Sequence, residues 1–242
     1  MIKRSFDFIV SLILLLILSP LLALICLLVW LQDFKNPLYI ASRAKTINSS
    51  FKMIKIRSMV SNADSLGGSS TSQNDKRITI IGKLIRKTKF DEIIQLWSVI
   101  IGDMSLVGPR PQVVEHIKLY TSEELNLLNA KPGITDFSSI IFSDEGEILD
   151  GSDNPDLKYN QYIRPWKSRY GLFYINNNNL IIDCKIIILT ILSVFSRERS
   201  LKGVKNLLTK LGANIKLINI SERIDPLQPY PPPGSNKIET RY

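Results

Sequence analysis

Residues 89–111 read KFDEIIQLWSVIIGDMSLVGPRP, and this stretch decides the fold that the sequence suggests. Its apolar residues recur at the spacing of one face of an α-helix; they are Phe90, Ile93, Ile94, Trp97, Ile100 and Ile101. Two adjacent carboxylates, Asp91 and Glu92, stand at the start of this helix, and a Gly- and Pro-rich loop with a single arginine, Arg110, follows it. The stretch therefore predicts an amphipathic helix with two acids at its head and a rigid basic loop after its end.

Asp91 has a structural interpretation beside a chemical one. Thr88 and Asp91 match a capping box with Thr88 as the N-cap, and an acid in the first turn gains about 0.3–1 kcal/mol from the helix dipole. Against this, Asp91 begins a polar stripe with Gln95 and Ser98, and four cations lie upstream at the same end: Lys83, Arg86, Lys87 and Lys89. Acids beside cations near a helix N-terminus indicate a place where a phosphate is bound and attacked. Mg²⁺ and arginine would neutralise the phosphate oxygens, which otherwise repel the attacking carboxylate.

The composition limits the classes of protein to which the chain can belong. Its 242 residues suffice for one ordinary domain with appendages. A net charge of +9 and a mean hydropathy of +0.07 suit a basic body with apolar segments and an anionic partner. Cys26 and Cys184 lie in apolar runs, which predicts buried thiols and no disulfide. The single histidine, His116, is expected to face solvent. With one histidine and two cysteines, a His/Cys metal cluster or a Ser-His-Asp triad is not expected, so the chemistry must rest on carboxylates, arginines and lysines.

The N-terminal run predicts a membrane segment with two alternative topologies. Residues 9–31 carry no charge, and about 20 apolar residues span a bilayer. Pro20 divides this run into two arms of eleven residues, each about 16 Å long, which is roughly half a membrane core. Ser19 can supply a hydroxyl to the carbonyl that the proline leaves without a donor. By itself the run favours a proline-kinked span.

The flanking charges favour the other topology. Lys3 and Arg4 precede the apolar run, and Lys35, Arg43 and Lys45 follow it. Positive residues prefer the cytoplasmic side, and here both flanks are positive. A helix that enters the membrane, bends at Ser19-Pro20 and leaves by the same face satisfies both flanks.

The rest of the chain predicts a small body of helices and short strands. FKMIKIR, residues 51–57, is typical of a strand and carries Lys55, whereas residues 61–75 are typical of a loop. The acidic residues 142–156 lack calcium-loop spacing and predict a solvated loop, and residues 180–196 predict an apolar helix. We expect three parts: a membrane segment over 1–35, a catalytic domain over 36–212, and a proline-rich, disordered tail over 213–242.

Several of these segments together carry a family resemblance. DEIIQLWSVIIGDMSLVGPRP resembles the signature of the bacterial sugar transferases, the monotopic polyprenyl-phosphate phosphoglycosyl transferases. The similar segments recur in the family's order over roughly 200 residues, which is more specific than any single match. They are KRSFDFIVSLILLLILSP, FKMIKIRSM, NDKRITIIGKLIRKT, KPGIT and INNNNLIIDCKIIILTIL.

The resemblance implies a fold and a reaction. The fold would be α+β, a small and mainly helical domain with short strands on a re-entrant, helix-break-helix membrane hairpin, at the cytoplasmic face of the bacterial inner membrane. With Mg²⁺ bound by Asp91 and Glu92, Asp91 would attack the sugar-bearing phosphate of a nucleotide sugar, typically a UDP-sugar, expel UMP and leave a phosphosugar-aspartyl intermediate. Glu92 would assist this catalysis as a metal or proton partner. Polyprenyl phosphate, usually undecaprenyl phosphate, would then accept the phosphosugar and start a lipid-linked glycan. Arg110, with Arg86 and Lys55 by position, would bind phosphate.

The chain departs from the family pattern at positions that bear on the substrate. Ile93 and Ile94 replace a usual Leu-Pro, and the acidic pair survives. Residues 136–139, DFSS, replace Gly-Trp-Ala-Gln, and the Asn-Gly-Arg that usually follows is missing, so the sequence names no sugar. The oligomeric state is open, with a homodimer among the alternatives.

A rival hypothesis from another class is a non-catalytic scaffold on the membrane surface, with basic segments on anionic lipid. This hypothesis explains the charge and the hydrophobicity of the chain but gives no reason for the acidic pair beside the Arg110 loop. Nucleic acid is not an expected partner, because no recognised binding module is present and the N-terminus seeks lipid.

Overall fold

The computed structural model describes residues 1–241 and mixes helices with short strands, as the sequence predicts. Eleven α-helices and four strands are assigned over those residues. The helices are α1 Ile2–Leu31, α2 Ile80–Thr88, α3 Leu96–Ile101, α4 Val114–Ile117, α5 Phe137–Ile141, α6 Glu145–Leu149, α7 Pro155–Lys158, α8 Arg164–Asn177, α9 Leu180–Phe195, α10 Arg197–Lys210 and α11 Ile215–Glu222. The strands are β1 Leu38–Thr46, β2 Ser49–Ile56, β3 Ser105–Val107 and β4 Gly133–Thr135.

Two small sheets organise the body. The hairpin of β1 and β2 is antiparallel, and its register places Lys55 opposite Tyr39. β3 and β4 form a short parallel pair in which Ser105 lies opposite Gly133. Parallel strands need a crossover connection, and residues 108–132 form it between β3 and β4.

The main core lies between α5, α8, α9 and α10. Phe137, Ile141 and Tyr170 are fully buried, and Ile186 and Val204 close the core from the C-terminal helices. α9 matches the predicted apolar helix and contributes only one side to this core. Its other side exposes Ile188, Ile191, Val194 and Phe195.

Helix α1 is continuous over thirty residues and is long and apolar enough to cross a membrane. Pro20 lies inside it, and the Ser19 hydroxyl donates to the Leu16 carbonyl at 2.8 Å. In a helix without proline, the amide of residue 20 would donate to this carbonyl. The Ser19 hydroxyl therefore replaces the donor that Pro20 lacks. Only a narrow stripe of α1 is buried: Leu22, Ile25 and Val29 form one cluster with Ile56 and Ile85, and Asp7 and Ser11 are buried nearer the start.

The helix predicted to begin at Thr88 begins elsewhere. Thr88 is the last residue of α2, and its hydroxyl donates back to the Leu84 carbonyl at 2.9 Å. Lys89 then adopts a left-handed conformation, which ends α2, and a 3₁₀ helix over Phe90–Gln95 leads into α3. The capping box is therefore wrong: the true N-cap is Thr79 of α2, whose hydroxyl accepts from the Gly82 amide.

The acidic segment and the C-terminal tail also differ from their predictions. Residues 142–156, expected as a solvated loop, contain α6 and the start of α7, and two of their acids, Asp144 and Glu145, pair with Arg197 and Lys167. Within 213–242, expected to be disordered, α11 forms and the described residues after it pack on the body. Tyr230 stacks on Trp166 with ring centroids 4.5 Å apart, and Arg169 donates to the Pro231 carbonyl at 2.9 Å.

The two cysteines and the histidine are placed as follows. Cys26 and Cys184 are free thiols, as predicted, and both are half-buried. His116 was expected to face solvent, but it is half-buried, and its Nε2 lies 3.0 Å from the Ser69 hydroxyl. Burial lowers the pKa of His116 below its ordinary value.

Candidate active site

The predicted acidic pair lies on the 3₁₀ helix between α2 and α3, beside β2 and the loop after β3. The Arg110 guanidinium donates to both oxygens of Glu92, with Nη1 to Oε2 at 3.1 Å. Lys55, from β2, donates its ammonium to Glu92 Oε1 at 2.8 Å. Glu92 is therefore the centre at which a strand, a 3₁₀ helix and a loop meet.

Backbone hydrogen bonds fix the loop that carries Arg110. The Gly108 amide donates to the Thr135 carbonyl at 3.0 Å, and the Gly133 amide donates to the Pro109 carbonyl at 2.9 Å. A Cβ at Gly133 would lie 2.1 Å from the Gly108 nitrogen, and one at Gly108 would lie 2.3 Å from the Lys131 carbonyl oxygen. The two motifs GPRP and KPG thus pack backbone to backbone, which requires glycine at both positions.

The charges around Glu92 keep its carboxylate ionised. Burial opposes its ionisation, but the charges of Arg110 and Lys55 outweigh burial and hold the pKa of Glu92 well below its usual range. Glu92 in turn raises the pKa of Arg110. Oε1 of Glu92 accepts from both cations and Oε2 accepts from Arg110, so most of the acceptor capacity of this carboxylate is already used.

Asp91 is the opposite case. Among residues 1–241, no side chain or amide is within hydrogen-bonding or ion-pairing distance of its carboxylate. Burial raises the pKa of Asp91, and the neighbouring Glu92 adds to this rise, whereas Lys55, Arg86 and Arg110 act against it. A half-buried carboxylate without a partner is available for a new bond to substrate or metal.

Arg86 occupies the same region with weaker contacts. It lies on the last turn of α2, its charge reaches Asp91, and its Nη1 lies 3.5 Å from the Ser58 hydroxyl. The structure thus brings together all five predicted site residues: Lys55, Arg86, Asp91, Glu92 and Arg110. Ser19 and Pro20 lie apart from them, within α1.

A second ion pair beside Arg110 was missed by the sequence reasoning. Lys167, on α8, pairs with Glu145 at the start of α6, and its ammonium lies 5.3 Å from the centre of the Tyr159 ring. The negative charge of Glu145 also acts on Arg110. Glu145 lies in the segment predicted to be a solvated loop, and no local pattern in the sequence indicates that it meets Lys167.

A metal ion would have few protein ligands here. Over residues 1–241, no group of three or more His, Cys, Asp or Glu side chains is arranged to hold a metal. Mg²⁺ commonly binds one or two carboxylates and completes its shell with water and substrate phosphates. The unpartnered Asp91 fits that mode, whereas Glu92 would have to give up a cation.

Comparison with known proteins identifies the family. The family model described as bacterial sugar transferase matches residues 1–197. The chain belongs to the bacterial sugar transferase family. The predicted resemblance is thereby confirmed, and so is the prediction of a transferase, at the level of the family.

Named relatives agree with this assignment. The chain is 32% identical over 209 residues to the exopolysaccharide production protein ExoY of Rhizobium meliloti, covering 80% of this chain and 85% of that protein. It is 35% identical over 209 residues to the undecaprenyl-phosphate glucose phosphotransferase of Komagataeibacter xylinus, covering 81% of this chain but 36% of that protein. The undecaprenyl-phosphate galactose phosphotransferase of Salmonella typhimurium is 32% identical over 211 residues, with 81% and 41% covered. The chain thus spans most of ExoY and well under half of the two phosphotransferases.

Proposed function

We propose that this protein transfers a sugar-1-phosphate from a nucleoside diphosphate sugar, of the UDP-sugar class, to undecaprenyl phosphate. Relatives named for undecaprenyl-phosphate glucose and galactose transfer support the acceptor and the type of group transferred. ExoY, named for exopolysaccharide production, supports a role at the start of a lipid-linked glycan. The sugar is left open, because residues 136–139 differ from the usual family pattern.

One observation carries the proposed mechanism: the two adjacent carboxylates have opposite environments. Glu92 accepts from Arg110 through both oxygens and from Lys55 through Oε1, so most of its acceptor capacity is used. Asp91 has no such partner among the described residues. We therefore assign Asp91 as the nucleophile and Glu92 as the residue that holds Arg110 and Lys55 beside it, with one acceptor site of its carboxylate left for a metal.

The reaction proceeds by two displacements at one phosphorus atom. A carboxylate oxygen of Asp91 forms a bond to the phosphorus that bears the sugar, and the bond from that phosphorus to the bridging oxygen breaks and releases UMP. A phosphate oxygen of the lipid then attacks the same phosphorus, and the bond to Asp91 breaks. Arg110 and Lys55 donate to the phosphate oxygens as negative charge develops there.

Mg²⁺ is proposed as the cofactor, with Asp91 as its protein ligand and Glu92 as a second one. When bound, it would neutralise the diphosphate and stabilise the departing phosphate. Lys55 and Arg110 already lie at the acidic pair, and their positive charges would neutralise part of the diphosphate charge.

We further propose that α1 enters and leaves the membrane by one face, the cytoplasmic face of the bacterial inner membrane. Both ends of α1 are tied to the same body: Lys3 pairs with the buried Asp183 at 2.5 Å, and Asp33, just after the helix, pairs with Arg57 at 2.6 Å. A straight span would carry these ends to opposite sides of a core about 30 Å thick. The exposed apolar residues of α9 lie on the body itself and would enter the lipid beside α1.

The proposed function is tested by UMP release from a panel of nucleotide sugars. The full chain is reconstituted in membranes that contain undecaprenyl phosphate and Mg²⁺, and UMP is measured for wild type, Asp91→Asn and the matched control Asp103→Asn. Asp103 is exposed in part, and within residues 1–241 its one ion pair is with Lys45. We expect wild-type release with at least one sugar, unchanged release by the control, and loss of about 10³-fold or more in Asp91→Asn.

The scaffold hypothesis predicts a different result. A non-catalytic membrane-surface protein would bind anionic lipid and release no UMP from any donor. The same panel therefore separates the two hypotheses, and undiminished release by Asp91→Asn would remove Asp91 as the nucleophile.

A further inference from the structure

Lys89 stands between α2 and the 3₁₀ helix in a conformation that its side chain disfavours. Its backbone has φ 57° and ψ 21°, the left-handed region in which glycine is the usual residue at a helix C-terminus. The backbone therefore does not select lysine at this position.

Among residues 1–241, no carboxylate pairs with the ammonium of Lys89. Its one hydrogen bond among the described residues goes to the Ser139 carbonyl at 3.2 Å, which leaves two of its three N–H donors unused. Arg110 and Lys167 repel its charge, and Glu92 and Asp91 attract it more weakly.

The side chains around the acidic pair carry a net positive charge, which a bound anion would balance. Four cations lie in this cluster, namely Lys55, Arg86, Lys89 and Arg110, against two acids, Asp91 and Glu92. Lys55 and Arg110 are both committed to Glu92, whereas Arg86 and Lys89 have no carboxylate within 4.0 Å in the described chain. A surplus of two positive charges matches a diphosphate group.

We propose that Lys89 is a substrate-binding residue whose ammonium contacts the diphosphate of the donor, on the side of the site formed by residues 136–139. The inference rests on the proposed function, because it supplies a further contact to the same donor. The Ser139 carbonyl accepts from the ammonium, and the two remaining N–H groups donate to phosphate oxygens. No covalent step is assigned to Lys89.

The test measures binding of inorganic pyrophosphate to the full chain in lipid nanodiscs by calorimetry. Lys89→Ser should weaken pyrophosphate binding by about 10- to 100-fold, the value of a hydrogen bond between charged groups. Lys89→Arg should retain most of the affinity. Lys87→Ser is the matched control, because Lys87 is an exposed neighbour on the last turn of α2, and it should bind as wild type does.

A stability measurement separates binding from a merely structural role. Lys89→Gly relieves the left-handed backbone, so we expect it to melt at the same temperature as wild type or higher while pyrophosphate binding falls as in Lys89→Ser. A lower melting temperature with unchanged binding would make Lys89 a tether for Ser139 and overturn the proposal. Wild-type affinity in Lys89→Ser, or no pyrophosphate binding by the wild type, would also overturn it.

The result is independent of turnover. If the wild type releases no UMP from any nucleotide sugar, the proposed function fails, and the pyrophosphate titration still decides whether Lys89 binds a diphosphate. If Asp91→Asn abolishes UMP release and Lys89→Ser leaves both pyrophosphate binding and the donor KM unchanged, the function stands and the role of Lys89 is refuted.

Discussion

At the scale of single residues, two neighbouring carboxylates differ because of what reaches them in space. Sequence alone pairs Asp91 with Glu92 and places Arg110 after them, and in the structure Arg110 donates to Glu92. The sequence could not tell which acid is held and which is free, because Lys55 reaches Glu92 from a strand 37 positions away. The Glu145–Lys167 pair escaped prediction for the same reason, since neither residue has a local pattern that names the other.

The environment of Asp91 gives a pH dependence. An attacking carboxylate must be ionised, and burial raises the pKa of Asp91 above its ordinary value of about 3.9. We therefore expect kcat/KM to fall as the pH drops through that raised pKa, at a higher pH than an ordinary aspartate would cause. A profile of kcat/KM against pH checks this, with a stability measurement at each pH as the control. Constant kcat/KM down to about pH 4 would contradict it.

At the scale of elements, the site depends on a close approach of two backbones. β3 and β4 are only three residues each, and their pairing aligns GPRP with KPG. The sequence identified both motifs but gave no reason for their glycines, because the contact joins segments about 25 residues apart. The predicted helix start at Thr88 was wrong because the left-handed backbone of Lys89 ends α2 at that point. The apolar pattern of the sequence continues through this residue and does not show the break.

Gly133→Ala tests this contact. The added Cβ would meet the Gly108 backbone at 2.1 Å, and neither backbone has a flexible end that could yield. We expect a loss of stability of about 3 kcal/mol or more and a loss of UMP release, since Arg110 shifts with the loop. Gly151→Ala is the control: Gly151 has positive φ but open space around it, so it should lose only about 1 kcal/mol. Chemical unfolding of both variants measures the difference, and equal losses would refute the contact as the cause.

The topology of α1 is a second question at this scale. Ile2 and Phe34 lie at either end of the helix, and both are exposed. In a chain with Cys26 and Cys184 replaced by serine, single cysteines at positions 2 and 34 should both react with a membrane-impermeant maleimide from the cytoplasmic side. Labelling of the two positions from opposite sides of the membrane would show a span, and the one-face topology would be wrong.

At the scale of the whole molecule, the C-terminal residues complete the body. The family match ends at residue 197, yet the chain beyond it supplies α10, α11 and a packed segment. Arg164 is 1% exposed, and it lies 3.5 Å from Glu124 and 3.6 Å from Glu239 of the tail. Composition predicted a disordered tail because proline and polar residues dominate it. Composition carries no information on the specific contacts that Trp166 and Arg164 make with the tail.

Truncation after Asp225 removes those partners. It takes away Tyr230, which stacks on Trp166, and Glu239, one of the two acids beside the buried Arg164. We expect the free energy of unfolding to fall by about 2–4 kcal/mol, because a buried charge loses part of its compensation. Chemical denaturation of the purified protein measures this loss. As a control, Lys237→Ala, at a tail position with no described side-chain contact, should unfold like the wild type, and a truncated protein as stable as the wild type would show that the tail packing contributes nothing.

The most direct measurement weighs the protein after it meets the donor without any lipid acceptor. In the two-displacement account, UMP leaves and the phosphosugar stays on the enzyme, so the intact mass should rise by one phosphosugar and peptide mapping should place the adduct on Asp91. Asp91→Asn should remain unmodified under the same conditions. An enzyme that transfers phosphosugar to lipid but never carries it on Asp91 would contradict the central claim.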